Sequence, residues 1–226
     1  MSGKHVILVG ATGMVGGIAL RESLCRPDVA TVTAVGRRAT GVQDTKLREV
    51  LHNDFTDCSE IAEVFEGQDV ALFCVGVYTG AVPDDEFRRI TVDYTIAFAR
   101  VLHERSPQAA FCFLSGAGAD QTERSRMSFA RYKGAAEKAL LEFGFPRVHI
   151  FCPGYIYPVT PRHEPNLTYR ITHLLYPLVR RVYPNIGVRS DDLARAMVSA
   201  GLDGTGAHEA PVLENRDIRA LAETTR

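Results

Sequence analysis

The sequence carries little excess charge of either sign. Across 226 residues, 26 Lys and Arg stand against 27 Asp and Glu, a formal net charge of −1. Such a balance offers no basic field for nucleic acid or for an acidic membrane surface, so no nucleic-acid partner is expected. Apolar runs long enough to span a bilayer are also missing, so no membrane span is expected. The first residues lead directly into a strand, without the apolar core of a signal segment. The expected setting is cytoplasmic. The five cysteines, Cys25, Cys58, Cys74, Cys112 and Cys152, form no Cys-x-x-Cys pair and read as reduced packing residues. The seven histidines lack a ligand-like helical pair, so no metal site is expected. Repeats and low-complexity tracts are absent. A composition of 46% hydrophobic and 23% charged residues suits one globular domain over 1–226, with 155–226 contributing the substrate-side part.

What is present begins within the first ten residues. A short apolar stretch, His5 to Val9, runs straight into a turn with glycines at Gly10, Gly13 and Gly16. The stretch has the character of a strand buried on both faces, and the glycines permit a tight turn whose amides can approach a pyrophosphate. A helix beginning near Met14 would add its N-terminal amides and dipole, so Gly10, Thr12, Gly13, Met14, Val15 and Gly16 are the candidate phosphate contacts. A second strand, Thr31 to Val35, ends where an NAD enzyme of this pattern offers Asp or Glu to the adenosine ribose. Here the chain has Gly36, Arg37 and Arg38. Guanidinium groups pair with a 2′-phosphate that an acidic side chain would repel, so the expected cofactor is NADP(H).

Further apolar strands are predicted at Val50–His52, Val70–Val75, Ala110–Leu114 and Val148–Phe151, with helical patterns between most of them. The stripe Ile90, Tyr94, Ala97, Val101 predicts a helix over Phe87–Arg105. Another helix is predicted over Ser128–Phe143, its apolar stripe broken by one charge, Lys133. This alternation predicts an α/β fold, a Rossmann-like doubly wound parallel sheet with a small C-terminal addition. Ligands of such sheets gather at the carboxyl ends of the strands. There the candidates are Asp54 and Phe55 beside an adenine, Val75 and Gly76 along the cofactor, Ser115, and Pro153 with Tyr155. For Asp54 a plain turn role is the alternative. Loops 77–86 and 158–169 would shape a substrate pocket, and Leu167 to Tyr183 would roof it or make a subunit contact. Beyond it are predicted a helix capped by Ser190, a last strand at Pro211–Leu213, and a short helix after Asn215.

Five features together resemble the atypical short-chain dehydrogenases/reductases. They are the glycine turn with its strand-end arginines, the Phe-Leu-Ser-Gly-Ala-Gly-Ala-Asp segment ending at Asp120, the Tyr-Lys-Gly-Ala-Ala-Glu segment from Tyr132 to Glu137, Cys-Pro-Gly-Tyr at 152–155, and Leu-Glu-Asn-Arg-Asp-Ile at 213–218. The likeness covers nearly the whole chain and is closest to the Tat-interacting protein family and its bacterial oxidoreductase relatives. It implies that Ser115 polarises a substrate carbonyl and that Lys133 holds the nicotinamide ribose. It also puts Phe129 where the family's proton-donating tyrosine stands. Tyr132 is then the first candidate substitute, although it lies about 100° around the helix from Lys133; Tyr155 and Tyr78 come next. Two functions follow from the resemblance. One is an NADPH-dependent reductase of a small carbonyl substrate. The other is a non-catalytic NADPH sensor or scaffold that binds a protein partner. Self-association as a homodimer is left open.

Overall fold

The computed structural model describes residues 3–159, 187–206, 208 and 210–224. Nine strands are described: β1 (Lys4–Val9), β2 (Val29–Gly36), β3 (Leu47–Leu51), β4 (Val70–Phe73), β5 (Ala110–Leu114), β6 (Arg147–Cys152), β7 (Tyr155–Tyr157), β8 (Gly187–Arg189) and β9 (Val212–Glu214). Seven of them form one sheet in the order β3-β2-β1-β4-β5-β6-β9, every neighbouring pair parallel. β1 lies inside the sheet, and Val6 to Val9 are each at most 1% exposed, as a strand covered on both faces must be. The chain runs outward from β1 to one side through β2 and β3, then crosses to β4 and runs outward on the other. The switch point between β1 and β4 is where such a sheet opens a crevice.

Helices α1 (Met14–Cys25), α5 (Ser190–Asp203) and α6 (Asn215–Thr224) cover one face, where Ala19, Leu20, Met197 and Ile218 meet Val6, Leu8 and Leu72. On the other face lie α3 (Tyr94–Arg105), α4 (Ser128–Glu142) and a 3₁₀ segment (Ser59–Phe65); there Phe98, Leu102 and Leu140 pack on Ile7, Phe73 and Phe111. This is the expected doubly wound arrangement.

Two local expectations need correction, and one element is new. The helix predicted over Phe87–Arg105 starts earlier, as α2 (Asp84–Arg88), and passes through a π turn (Arg89–Asp93) before α3. The extra residue of that turn rotates Ile90 and Tyr94 onto the crevice, a frequent use of π turns at sites. Ser190 is the first helical residue of α5 and not its cap; the position before the helix belongs to Arg189, and the Ser190 hydroxyl accepts from the Val159 amide at 3.2 Å. The pair β7 and β8, parallel and three residues each, was not predicted, because strands that short leave no readable period. The expected roof Leu167–Tyr183, and the 158–169 loop beyond Val159, lie outside the described residues.

Candidate functional site

The turn after β1 is built by what glycine leaves out. Gly10 has φ +88°, and a Cβ there would stand 2.7 Å from the Cys74 carbonyl carbon and oxygen, so the turn can press against the end of β4 only without a side chain. A Cβ on Gly16 would lie 2.2 Å from the Gly10 carbonyl oxygen. That close approach seats α1 directly behind the turn. Gly13 precedes the helix with no side-chain cap, and a helix start leaves the amides of Met14, Val15 and Gly16 without helical acceptors. Of these residues Met14 and Val15 line the crevice beside Gly13 while Gly16 is buried behind them, so the positive end of the helix stands at the wall, where a pyrophosphate finds donors.

From this turn a groove runs toward β2. Thr12, Gly13, Val75 and Gly76 line it, as do Arg37 and Arg38 at the end of β2. Both arginines are exposed, and neither pairs with a carboxylate among the described residues. Phe55 is 4% exposed and forms part of the wall, its ring 5.7 Å from that of Tyr94 and 5.4 Å from that of His52. Its neighbour Asp54 does not line the groove. Its carboxylate accepts from the Thr56 amide at 2.9 Å and from the Thr56 hydroxyl, bonds that hold it below the usual carboxylate range. These bonds describe the turn role, the alternative reading of Asp54.

In the other direction the groove widens past Gly13, Met14 and Val15 into a cavity of about 280 Å³. Ser115, Phe129 and Lys133 form its base, and Gly154, Tyr155 and Ile156 its far wall, with Tyr78 at its edge. The structure thus brings Ser115, Lys133, Tyr155 and the glycine turn together. Pro153 stands behind this wall, buried, its carbonyl accepting from the Ala117 amide at 2.9 Å; it braces the loop rather than lining the cavity.

Lys133 is 7% exposed. Its Nζ donates to the Leu114 carbonyl at 2.8 Å and lies 4.8 Å from the centre of the Phe113 ring. Burial lowers its pKa to about 8, against the pull of Glu137. Phe129 does occupy the cavity, and its ring reaches so close to Gly116 that a Cβ there would stand 2.6 Å from Cζ. Tyr132 does not enter. Its hydroxyl donates to Asp84 at 2.6 Å and its ring packs edge-on against Phe87 at 5.8 Å. Bonds from Ser128 and Tyr132 keep Asp84 below the usual carboxylate range, so the phenol proton is engaged on the far side of α4. Tyr132 as the stand-in proton donor is therefore corrected. It immediately precedes Lys133 in sequence, and helical geometry turns the two about 100° apart.

One participant was missed. Glu137 is 2% exposed and sits one turn beyond Lys133. Ser115 Oγ donates to Glu137 Oε1 in a short hydrogen bond, Gln121 Nε2 donates to Oε2 at 2.9 Å, and Cys152 Sγ reaches Oε1 at 3.4 Å. Burial, and then the Glu137 charge, pushes the Cys152 thiol up to about 12, so it stays a donor. Gly134 makes this closeness possible, since a Cβ there would lie 1.9 Å from the Asp120 carbonyl oxygen. The available signal was a second charge on the buried stripe of α4, four residues after the first.

No protein-family model matches the chain. Among curated proteins it is similar to protein HTATIP2 of Rattus norvegicus, 31% identical over 158 residues, covering 69% of this chain and 64% of that protein. It is also similar to protein fmp52, mitochondrial, of Aspergillus clavatus, 26% identical over 230 residues, covering 95% of this chain and 96% of that protein. The chain thus spans just under two thirds of the first relative and nearly all of the second. Its fold matches an oxidoreductase of the short chain dehydrogenase/reductase family from Burkholderia thailandensis, with a TM-score of 0.66 at 16% identity over 94% of this chain and 90% of that one. It likewise matches the Bordetella bronchiseptica enzyme WbmF solved in complex with NAD+, TM-score 0.66 at 13% identity, covering 99% and 79%.

Proposed function

The chain is a homologue of HTATIP2 and of the fmp52 proteins with the fold of the short-chain dehydrogenases/reductases, and from that premise we propose that it is an NADP(H)-dependent oxidoreductase reducing a small carbonyl substrate. One observation carries the reading. Two adjoining cavities share Gly13, Val75 and Gly76 in their walls; Arg37 and Arg38, unpaired among the described residues, line one, and buried Ser115 and Lys133 line the other. The amides of Met14, Val15 and Gly16 would hold the pyrophosphate, the two guanidiniums a 2′-phosphate, and Phe55 the adenine face. Lys133 would hold the nicotinamide ribose hydroxyls. The bound nicotinamide supplies the hydride. Ser115, on the same cavity wall as Lys133, would stand beside a substrate's carbonyl oxygen.

Calorimetry with NADPH and NADH, followed by NADPH oxidation over a panel of aldehydes, ketones and quinones, tests this reading. Tight NADPH binding with turnover supports it; no heat from either coenzyme ends it. Phe129 favours a second reading, in which a protein without a tyrosine four residues before Lys133 reports NADPH occupancy to a protein partner or to a second copy of itself. Binding without turnover across the panel is the outcome that selects it. No helix among the described residues is long and apolar enough to cross a membrane. The cytoplasm is our reading of its location, and since the fungal relatives are named mitochondrial, cell fractionation is the deciding measurement.

A further inference from the structure

Ser115 reaches two cavities through a single bond. Its hydroxyl belongs to the base of the candidate substrate cavity, whereas the carboxyl of Glu137, to which it is bonded, lines a second cavity of about 440 Å³ on the other side of the Ser115–Gln121 loop. Gln121 and Glu214 at the margin of that second cavity are exposed, so water has a route to the Glu137 carboxyl. The acid that the fold ordinarily places beside Lys133 is absent, because Phe129 has no proton to give. We propose that Glu137, acting through Ser115, is the proton reservoir of the site.

The proposal rests on the reductase reading and completes its proton balance. The carbonyl carbon gains a hydride, with its electron pair, from the reduced nicotinamide, and the C=O π bond breaks. The carbonyl oxygen takes the proton of Ser115 Oγ, Ser115 takes one from the Glu137 carboxylic acid, and Glu137 regains one from water in the second cavity. The net reaction consumes one NADPH and one proton per alcohol formed. The Ser115 hydroxyl rotates freely about its C–O bond, so the same contact serves both states: Ser115 donates to the carboxylate and accepts from the acid. In the ionised state its only proton points away from the substrate. Glu137 thereby decides whether Ser115 offers the cavity a donor or a lone pair.

The groups facing Glu137 are Lys133 on its own helix, Cys152 on β6, and Ser115 and Gln121 on the loop after β5; Asp120 and Glu214 line the same cavity. Cys152 stays protonated across the working range. Lys133 contributes its own limb to a pH profile, near about 8. A merely structural Glu137 would tie the loop to α4 and nothing more. Glu137→Gln separates the two roles, because its amide can still bond Ser115 and Cys152 but carries no transferable proton.

In steady-state kinetics, E137Q is expected to lose roughly 10²-fold in kcat, the lower end of what general acid catalysis contributes, with the KM for NADPH unchanged. Its pH profile should differ in shape from that of the wild type while the Lys133 limb remains. In the cofactor-free protein, an infrared carboxylic-acid band that titrates with pH should be absent from E137Q and shifted in S115A. E137Q with wild-type kcat and pH profile would overturn the proposal. If the wild type binds NADPH but reduces nothing, the reductase reading falls and the infrared band decides the pair alone. A titrating band sensitive to S115A retains it, and no such band ends it.

Discussion

Lys133 and Glu137 stand four residues apart on α4, 7% and 2% exposed, and hold their charges against different partners: the ammonium on the Leu114 carbonyl, the carboxylate on Ser115, Gln121 and Cys152. Each lowers the cost of burying the other. For Lys133 the compensation is incomplete, since burial still outweighs the pull of Glu137. A site that keeps an ammonium out of water in this way is less stable while the charge persists.

The first prediction concerns that cost. The folded pKa of Lys133 lies at about 8, below its ordinary 10.5, so between these values the unfolded chain binds more protons and stability rises with pH. Below about 8 both states are charged and the penalty is fully present. Denaturant unfolding of cofactor-free protein across this window should show wild type gaining up to about 3 kcal/mol relative to Lys133→Met. Parallel curves for the two proteins would show that Lys133 is not desolvated in solution.

The second concerns coenzyme choice. Arg37→Asp and Arg38→Asp should each weaken NADPH by roughly 10- to 100-fold, the span of one charge-assisted hydrogen bond. NADH affinity should barely move. Calorimetry on both coenzymes checks the difference, and an NADPH preference that survives the double variant would show that the 2′-phosphate is read elsewhere.

The third separates two aromatic residues of α4. Tyr132→Phe should leave turnover unchanged, because its hydroxyl is engaged by Asp84 outside the cavity. It should cost about 1 kcal/mol of stability for the lost bond. Phe129→Tyr brings a phenol into the cavity with Ser115 and Lys133, and kcat should rise at least tenfold, short of the full range of a general acid. Loss of activity in Tyr132→Phe would restore that residue to the mechanism.

The framework of this site was legible because buried parallel strands and glycine turns are local patterns. The run from His5 to Gly16 specifies β1, the turn and α1 within its own span, and Arg37 and Arg38 follow at the next strand end. The acid–base network was not legible. It depends on α4 meeting the loop after β5, and a sequence period shows which face a residue occupies but not what another segment brings to it. On that ground the sequence shows Glu137 only as the end of the Tyr132–Glu137 segment, whereas Tyr132, next to Lys133 in sequence, looks closer to the chemistry than the helix allows. Asp54 turned inward to its own turn for a similar reason, since Thr56 competes for its carboxylate from two residues away.

The fourth prediction tests the phosphate turn. Gly16→Ala forces a methyl against the Gly10 carbonyl oxygen at 2.2 Å, and α1 must shift. Stability should fall by about 1–3 kcal/mol, as overpacked sites do, and dinucleotide affinity should fall with it. Gly36→Ala, whose Cβ would meet its nearest neighbour at an ordinary 3.5 Å, is the control. Equal behaviour of the two variants in thermal melts would remove the steric argument.

One clasp sets when this site becomes whole. Asn215, the first residue of α6, accepts a hydrogen bond from the Gly154 amide, 61 positions earlier in the chain, at 2.9 Å, and Gly154 lies in the cavity wall. During synthesis the glycine turn and β1 emerge first, but the wall stays unfastened until residue 215 has left the ribosome. A nascent chain can therefore present the dinucleotide turn well before its reaction chamber exists.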